Sequence, residues 1–195
     1  MAQHAGPYAG VYLGGGLLAD ARAVDDLGAF TLEFKPDLLG SVVLGWDLGL
    51  DNLLGEGRVE LEYARRSNRL DRVDFVEGSF AASGRMVADS FMFNCIGVSH
   101  GSNRWSPYVV VGLGAARIAA SGLQVTGRPL GDDKATVFAY QLGGGVAYVL
   151  TEALQLDLGY RFFNSTKPEF TEANGDKYAV GYLNHSVMFG VRLGF

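Results

Sequence analysis

A chain of 195 residues, 48% of them apolar and 19% charged, is long enough for one domain with a core and too apolar for intrinsic disorder. Its single cysteine, Cys95, and three scattered histidines, His4, His100 and His185, exclude a disulfide framework and a multi-cysteine metal centre. A net charge of −5 argues against a nucleic-acid partner, and no apolar run reaches the ~18 residues of a membrane-crossing helix.

At the N-terminus Met1-Ala2-Gln3-His4 offers no basic head and no apolar stretch, so an export signal is expected to have been removed. Beyond it, period-two alternation recurs and helical periodicity is hard to find. Tyr8, Gly10, Tyr12, Gly14 and Gly16 alternate with Ala9, Val11, Leu13, Gly15 and Leu17. Residues 40–50 set Val42, Leu44, Trp46, Leu48 and Leu50 against Val43, Gly45, Asp47 and Gly49. Residues 58–66 set Val59, Leu61 and Tyr63 against Arg58, Glu60, Glu62, Ala64 and Arg66. Residues 90–97 put Phe91, Phe93 and Cys95 on one face, and residues 107–115 do the same with Val109, Val111 and Leu113. Residues 138–148 set Phe138, Tyr140, Leu142 and Tyr148 against Ala139, Gln141, Gly143 and Gly145. Residues 154–163 set Leu156, Leu158, Tyr160 and Phe162 against Gln155, Asp157, Gly159 and Arg161. The last segment sets His185, Val187, Phe189, Val191, Leu193 and Phe195 against Ser186, Met188, Gly190 and Arg192. Eight strands are predicted.

The connections alternate in length. Those near 51–57, 99–105 and 151–153 are short, whereas 19–37, 67–85, 120–135 and 164–183 are long and polar. Short turns make neighbouring strands antiparallel, and the alternation fits an up-and-down barrel with loops at one rim. The choice between a soluble lipocalin-like cup and a membrane barrel rests on which face is wet. One face carries Trp46, Tyr63, Phe91, Phe93, Tyr140, Tyr148, Tyr160 and Phe162, too bulky for the inside of eight strands. Glycine and charge fit a narrow lumen. The expectation is therefore an all-β, eight-stranded antiparallel up-and-down transmembrane β-barrel, a single domain over residues 1–195. Long extracellular loops, short periplasmic turns and periplasmic termini go with it.

Inward charges without partners are prohibitively costly. Asp47, Glu60, Glu62, Arg66, Asp157, Arg161 and Arg192 are accordingly expected to form a lumen ion-pair network, with arginine forks bridging carboxylates. Trp46, Trp105, Tyr148 and Phe195 are expected as interfacial aromatics near the periplasmic rim. Cys95 reads as a small lipid-facing hydrophobe.

The opening Pro7-Tyr8-Ala9-Gly10-Val11-Tyr12-Leu13-Gly14-Gly15-Gly16 resembles the first strand of OmpA-type eight-stranded outer-membrane barrels, as does Pro107-Tyr108-Val109-Val110-Val111-Gly112-Leu113-Gly114-Ala115. Val59-Glu60-Leu61-Glu62-Tyr63 and Leu156-Asp157-Leu158-Gly159-Tyr160-Arg161-Phe162 are similar to strands of the opacity-protein and surface-antigen branch. The alternating last strand ending in Phe195 resembles the signal by which such barrels are recognised for insertion. The resemblance implies a bacterial outer-membrane location and contact with the barrel-insertion machinery. It also implies a structural, adhesive or porin-like role without one shared activity.

No enzyme is expected. Outer-membrane lipid A deacylases carry a His-x-Ser pair, whereas His185-Ser186 are adjacent and point to opposite sides of a strand. Paired Glu60 and Glu62 lack the open cleft that carboxylate acid–base chemistry needs. Gly14-Gly15-Gly16 and Gly143-Gly144-Gly145 lead into no helix and no Lys-Ser/Thr, so neither is a phosphate loop. No cofactor is implied. The expected partners are outer-membrane lipid and lipopolysaccharide, and an extracellular protein or glycan met through the loops. Those loops carry Asp20, Asp25, Asp26, Phe30, Glu33, Phe34 and Asp37; then Arg66, Arg69, Asp71, Arg72, Asp74, Phe75, Glu77 and Phe80; then Lys167, Glu169, Phe170, Glu172, Asp176, Lys177 and Tyr178. A surface protein of structural or binding type is the expectation, with a small-conductance channel as the alternative.

Overall fold

A computed structural model describes residues 5–19, 21–25, 28–49, 57–75, 78–99, 104–126, 128–171 and 177–195; the side chains of 21–30, 75, 125, 128–131, 171 and 177–178 lie outside the described set. His4, Asp20, Asp26, Glu77, His100, Glu172 and Asp176 therefore fall outside it, as do the side chains of Asp25, Phe30, Phe75, Lys177 and Tyr178. The strands are β1 (Gly6–Leu18), β2 (Ala21–Asp25), β3 (Gly28–Lys35), β4 (Asp37–Asp47), β5 (Gly57–Phe75) and β6 (Gly78–Val98). They continue as β7 (Trp105–Val125), β8 (Arg128–Val149), β9 (Leu154–Ser165), β10 (Glu169–Thr171), β11 (Lys177–Val180) and β12 (Leu183–Gly194).

A ring of eight strands closes in the order β1, β4, β5, β6, β7, β8, β9, β12 and back to β1, every pair antiparallel. Closure leaves no sheet edge, the condition for a sheet to stand in lipid. The outward row of β7 from Trp105 to Ala115 is apolar or small. At ~3.3 Å per residue and a tilt near 40° it spans about 25 Å, the height of an outer-membrane apolar band.

The segments expected to be long polar loops are largely strands. β5 and β6 pair as far as Phe75↔Gly78, β7 and β8 as far as Val125↔Arg128, and β2 pairs with β3 and β10 with β11. The small strands stack onto the ring by β11–β2 and β3–β5 pairings. β3 and β4 are one run along β5, interrupted at Pro36, which has no amide to give the ladder. Charge hid these strands. Thr31, Glu33 and Lys35 alternate with Leu32 and Phe34, and a strand with one wet face needs only the other to be apolar.

The polarity of the wall inverts along each long strand. In β5, Glu60, Glu62 and Arg66 are buried inside while Leu61 faces out; farther on, Leu70 and Val73 are buried while Arg65, Arg69 and Arg72 face out. β6 repeats this, with Asn94 inside and Phe93 outside, then Met86 inside and Arg85 outside. The interior at the hairpin end is accordingly an apolar core that includes Leu18, Leu32, Phe34, Met86, Ile118, Leu123, Phe163 and Phe170. Phe34 and Phe170, expected on exposed loops, are inside it.

Bulky inward rings are accommodated by glycine opposite. Tyr8 pairs in register with Gly45, Tyr12 with Gly190 and Tyr108 with Gly145. A Cβ at Gly45 would overlap the Tyr8 ring, and one at Gly190 the Tyr12 ring.

Candidate functional site

The lumen of the membrane half gathers the charged residues. Asp47, Glu60, Glu62, Arg66, Asp157, Arg161 and Arg192 are all buried there, from β4, β5, β9 and β12. Direct ion pairing among them is limited to Arg192, whose Nε donates to Asp157 Oδ2 at 2.6 Å while an Nη donates to Gln155 Oε1 at 2.6 Å. The expectation that arginine forks bridge the other carboxylates is corrected: neutral donors take that place. The Tyr8 hydroxyl donates to Glu60 at 2.7 Å. Asn94 and Gln141 amides donate to Glu62 at 2.8 and 2.7 Å. Arg66 donates to Ser90 Oγ at 2.8 Å and to Gln141 Oε1 at 3.3 Å. The Asn94 amide reaches Glu62 from the neighbouring strand β6, and that of Gln141 reaches it from β8 across the lumen, spans a narrow barrel keeps short. Asp47 lies at the terminus end, where it accepts from the Gly49 amide at 3.0 Å.

Arginine charge is met by aromatic faces as well. The Arg58 guanidinium lies 5.5 Å from the Tyr108 ring centroid, Arg161 5.8 Å from the same ring and Arg192 5.3 Å from that of Tyr8. Arg66 sits 4.1 Å over Phe163, the point where the charged tier meets the apolar one. Between them lies a neutral girdle: Asn68 accepts from Tyr182 at 3.2 Å and from Asn184 at 3.3 Å, and Ser186 donates to Asn184 at 2.5 Å.

The period-two pattern puts Arg58, Tyr8, Tyr108 and Gln155 on strand faces without giving any of them a role, and Asn68 falls in the segment 67–85 expected to be a loop. The signal for the tyrosines was present: each occupies an otherwise glycine-rich inward row.

His185 and Ser186 lie on opposite faces of β12. Ser186 points inward to Asn184, and His185 points outward, its Nδ1 2.6 Å from the Tyr160 hydroxyl. Among the described residues no group of three His, Cys, Asp or Glu could hold a metal ion. Trp46, Trp105 and Phe195 are exposed on the outer face at the terminus end, and Trp105 packs against Tyr148 with ring centroids 4.6 Å apart. Cys95 faces outward in the apolar band.

A closed ring of eight strands, with a band that is apolar outside and polar within, defines a transmembrane β-barrel of the bacterial outer membrane. The chain belongs to the outer membrane protein beta-barrel domain family, which matches residues 1–195. Its fold is similar to that of Neisserial surface protein A, at 17% identity over 97% of each chain with a TM-score of 0.60. It is likewise similar to the outer membrane protein OprG from Pseudomonas aeruginosa, at 13% identity over 100% of this chain and 99% of that one, TM-score 0.63. The outer membrane protease OmpT from Escherichia coli shares the fold at 10% identity over 97% of each chain, TM-score 0.59. No curated protein matches the chain by sequence.

Proposed function

We propose that the chain is a surface barrel of structural and binding type, with its hairpin end outside the cell and both termini in the periplasm. The observation that carries this reading is the folded tier at the hairpin end. Its strands run past the apolar band, turn charge outward and enclose an apolar core of their own. A barrel that only filled a membrane would need short connections at both ends. The tier instead holds paired strands that present a fixed, charged surface, which suits contact with an extracellular protein or glycan. Burial of Glu62, Arg66, Gln141 and Phe163 across the lumen supports a closed barrel over a conducting one. No enzymatic role is part of the proposal, because His185 and Ser186 lie on opposite sides of the wall.

The test is adhesion of cells displaying the chain to protein- and glycan-coated surfaces, beside chains in which residues 72–81 and 121–133 are replaced by tight turns. Adhesion that disappears with the hairpin ends is expected, together with absence of steady current in planar bilayers. Steady selective currents that change with Glu62→Gln or Arg161→Gln would overturn the reading.

A further inference from the structure

We infer that the hairpin tier takes up an extended segment of a partner protein by strand addition, at a seam in its wall between β8 and β10. The inference rests on the surface role and outward hairpin end proposed above, and names the partner's chemistry. The ladder of β8 with β9 ends at Ala139↔Ser165, followed by one bond from the Thr166 amide to the Phe138 carbonyl at 2.9 Å. Period two would bring Pro168 next to β8, and proline has no amide to give. The Pro168 carbonyl turns to the other side and accepts from the Val180 amide at 3.2 Å. Beyond it β10 pairs with β11 alone, and among the described residues no strand pairs with β8 on this side above Ala139.

What β8 offers at the seam is main chain. Because the Phe138 carbonyl points there, so do the backbone groups of Thr136 and Lys134. The Lys134 amide is taken by the Asp133 carboxylate at 2.7 Å in place of a neighbouring strand. On the inner face Val137 and Ala135 are only half-buried, whereas Ala116 and Ile118, their partners on β7, are completely buried. On the outer face Thr136 and Lys134 are exposed. An edge left unpaired in this way is a template for an added strand.

These features select polypeptide over lipid or glycan, because only a main chain repeats donors and acceptors at the spacing of Thr136 and Lys134. The segment continues the ladder of β9 and so runs antiparallel to β8. Its apolar side chains face Val137 and Ala135, and an acidic one stands opposite Lys134. The Cα atoms of β10 and β8 approach within 8 Å, less than the ~10 Å between two strands that flank a third, so the segment displaces β10. That strand is three residues long and is anchored by Phe170, which is fully buried. It fills the apolar position without completing the ladder, whereas a segment free of proline does both. The difference in main-chain hydrogen bonding drives the exchange.

The experiment uses the whole chain refolded in detergent and a fluorescent peptide, Thr-Val-Thr-Phe-Glu-Thr, which places Val and Phe opposite Val137 and Ala135. Saturable binding is expected. It should weaken about tenfold when the second Thr and the Glu are N-methylated, since two main-chain hydrogen bonds are lost and no side chain changes. Thr136→Pro, tolerated at a sheet edge, should weaken it as much. Phe170→Ala, which frees the position that β10 holds, should strengthen it several-fold. Equal binding of the N-methylated peptide overturns the proposal, by assigning uptake to apolar adsorption. So does binding undiminished in Thr136→Pro, or absent from both the unaltered chain and Phe170→Ala. Orientation is read separately from Ser79→Cys, labelled on intact cells by an impermeant maleimide. Labelling only after permeabilisation would sink the outward orientation and the surface reading with it, whereas labelling without discrimination between the peptides would sink the seam alone.

Discussion

The two halves of the barrel interior solve opposite problems with the same strands. In the membrane half the solvent outside is apolar, and the lumen is filled with charged groups, of which Glu60, Glu62 and Arg192 are held by Tyr8, Asn94, Gln141 and Asp157. In the hairpin half the exterior is charged, and the interior is Leu32, Met86, Ile118 and Phe170. The charged tier is not fully satisfied: Arg58 Nε and Nη1, Glu62 Oε1, Arg66 Nε and Arg161 Nε have no hydrogen-bond partner among the described residues. Apolar residues of similar volume would often be as stable there or more so. What polarity supplies in the membrane half is a difference between the two faces of each strand. A one-residue slip would put Glu60 and Arg66 into lipid, so the register is strongly enforced. The hairpin half gets the same enforcement from ordinary apolar burial.

That comparison breaks most visibly at Arg192. Its side chain is 4% exposed and that of its partner Asp157 1%, so Arg192→Met strips a buried carboxylate of its direct ion-pair partner and should cost about 3–5 kcal/mol. Adding Asp157→Leu should restore much of the loss. Urea unfolding in detergent, followed by gel migration with and without heating, measures both. If the double variant is no more stable than the single, the pair's partners rather than its charge balance hold that tier.

In the apolar tier, Ile118→Ala removes a fully buried side chain at a cost of about 2–5 kcal/mol. The effect should be local. Amide exchange should accelerate in β7 from Arg117 to Val125 and in its β8 partners while Tyr108–Leu113 stay protected. Uniform acceleration along β7 would mean that the tiers unfold as one unit and that the division is only compositional.

A smaller change probes the packing common to the lumen. Gly190→Ala places a methyl into the Tyr12 ring and should destabilise by about 1–3 kcal/mol, with Tyr12→Leu in the same chain recovering part of it. Thermal transitions of the three variants in micelles decide it. No recovery would mean that the glycine matters for its backbone and not for the ring it accommodates.

The eight membrane strands were legible because period two is unbroken where one face meets lipid: Leu156, Leu158, Tyr160 and Phe162 against Gln155, Asp157 and Arg161 leave no other reading. The hairpin tier was not, since its outward residues carry the charge usual in loops. Phe34 sits between Glu33 and Lys35, and the bulges near Arg69–Arg72 and Ser83–Arg85 break the alternation besides. In the lumen, inward charge could be read from parity, but partner choice could not. Glu62 receives Gln141, distant in sequence, because ring closure brings β8 across from β5, and spacing along the chain contains no such information.

The smallest expected effect lies at a pair chemically like Arg192–Asp157 but outside the wall. Arg65 and Asp89 meet at 3.3 Å with side chains 61% and 30% exposed. Water and salt screen them, and the long arginine loses rotamer freedom to make the contact, so Arg65→Gln should change stability by no more than about 1 kcal/mol. That small change should shrink further as salt is raised, whereas the loss at Arg192→Met should be nearly independent of salt. Parallel unfolding series at low and high ionic strength compare the two. A cost at Arg65 rivalling that at Arg192 would show that the outer rows are desolvated in the folded barrel, and that the inversion of polarity falls farther toward the hairpin end than Tyr63 and Phe91 indicate.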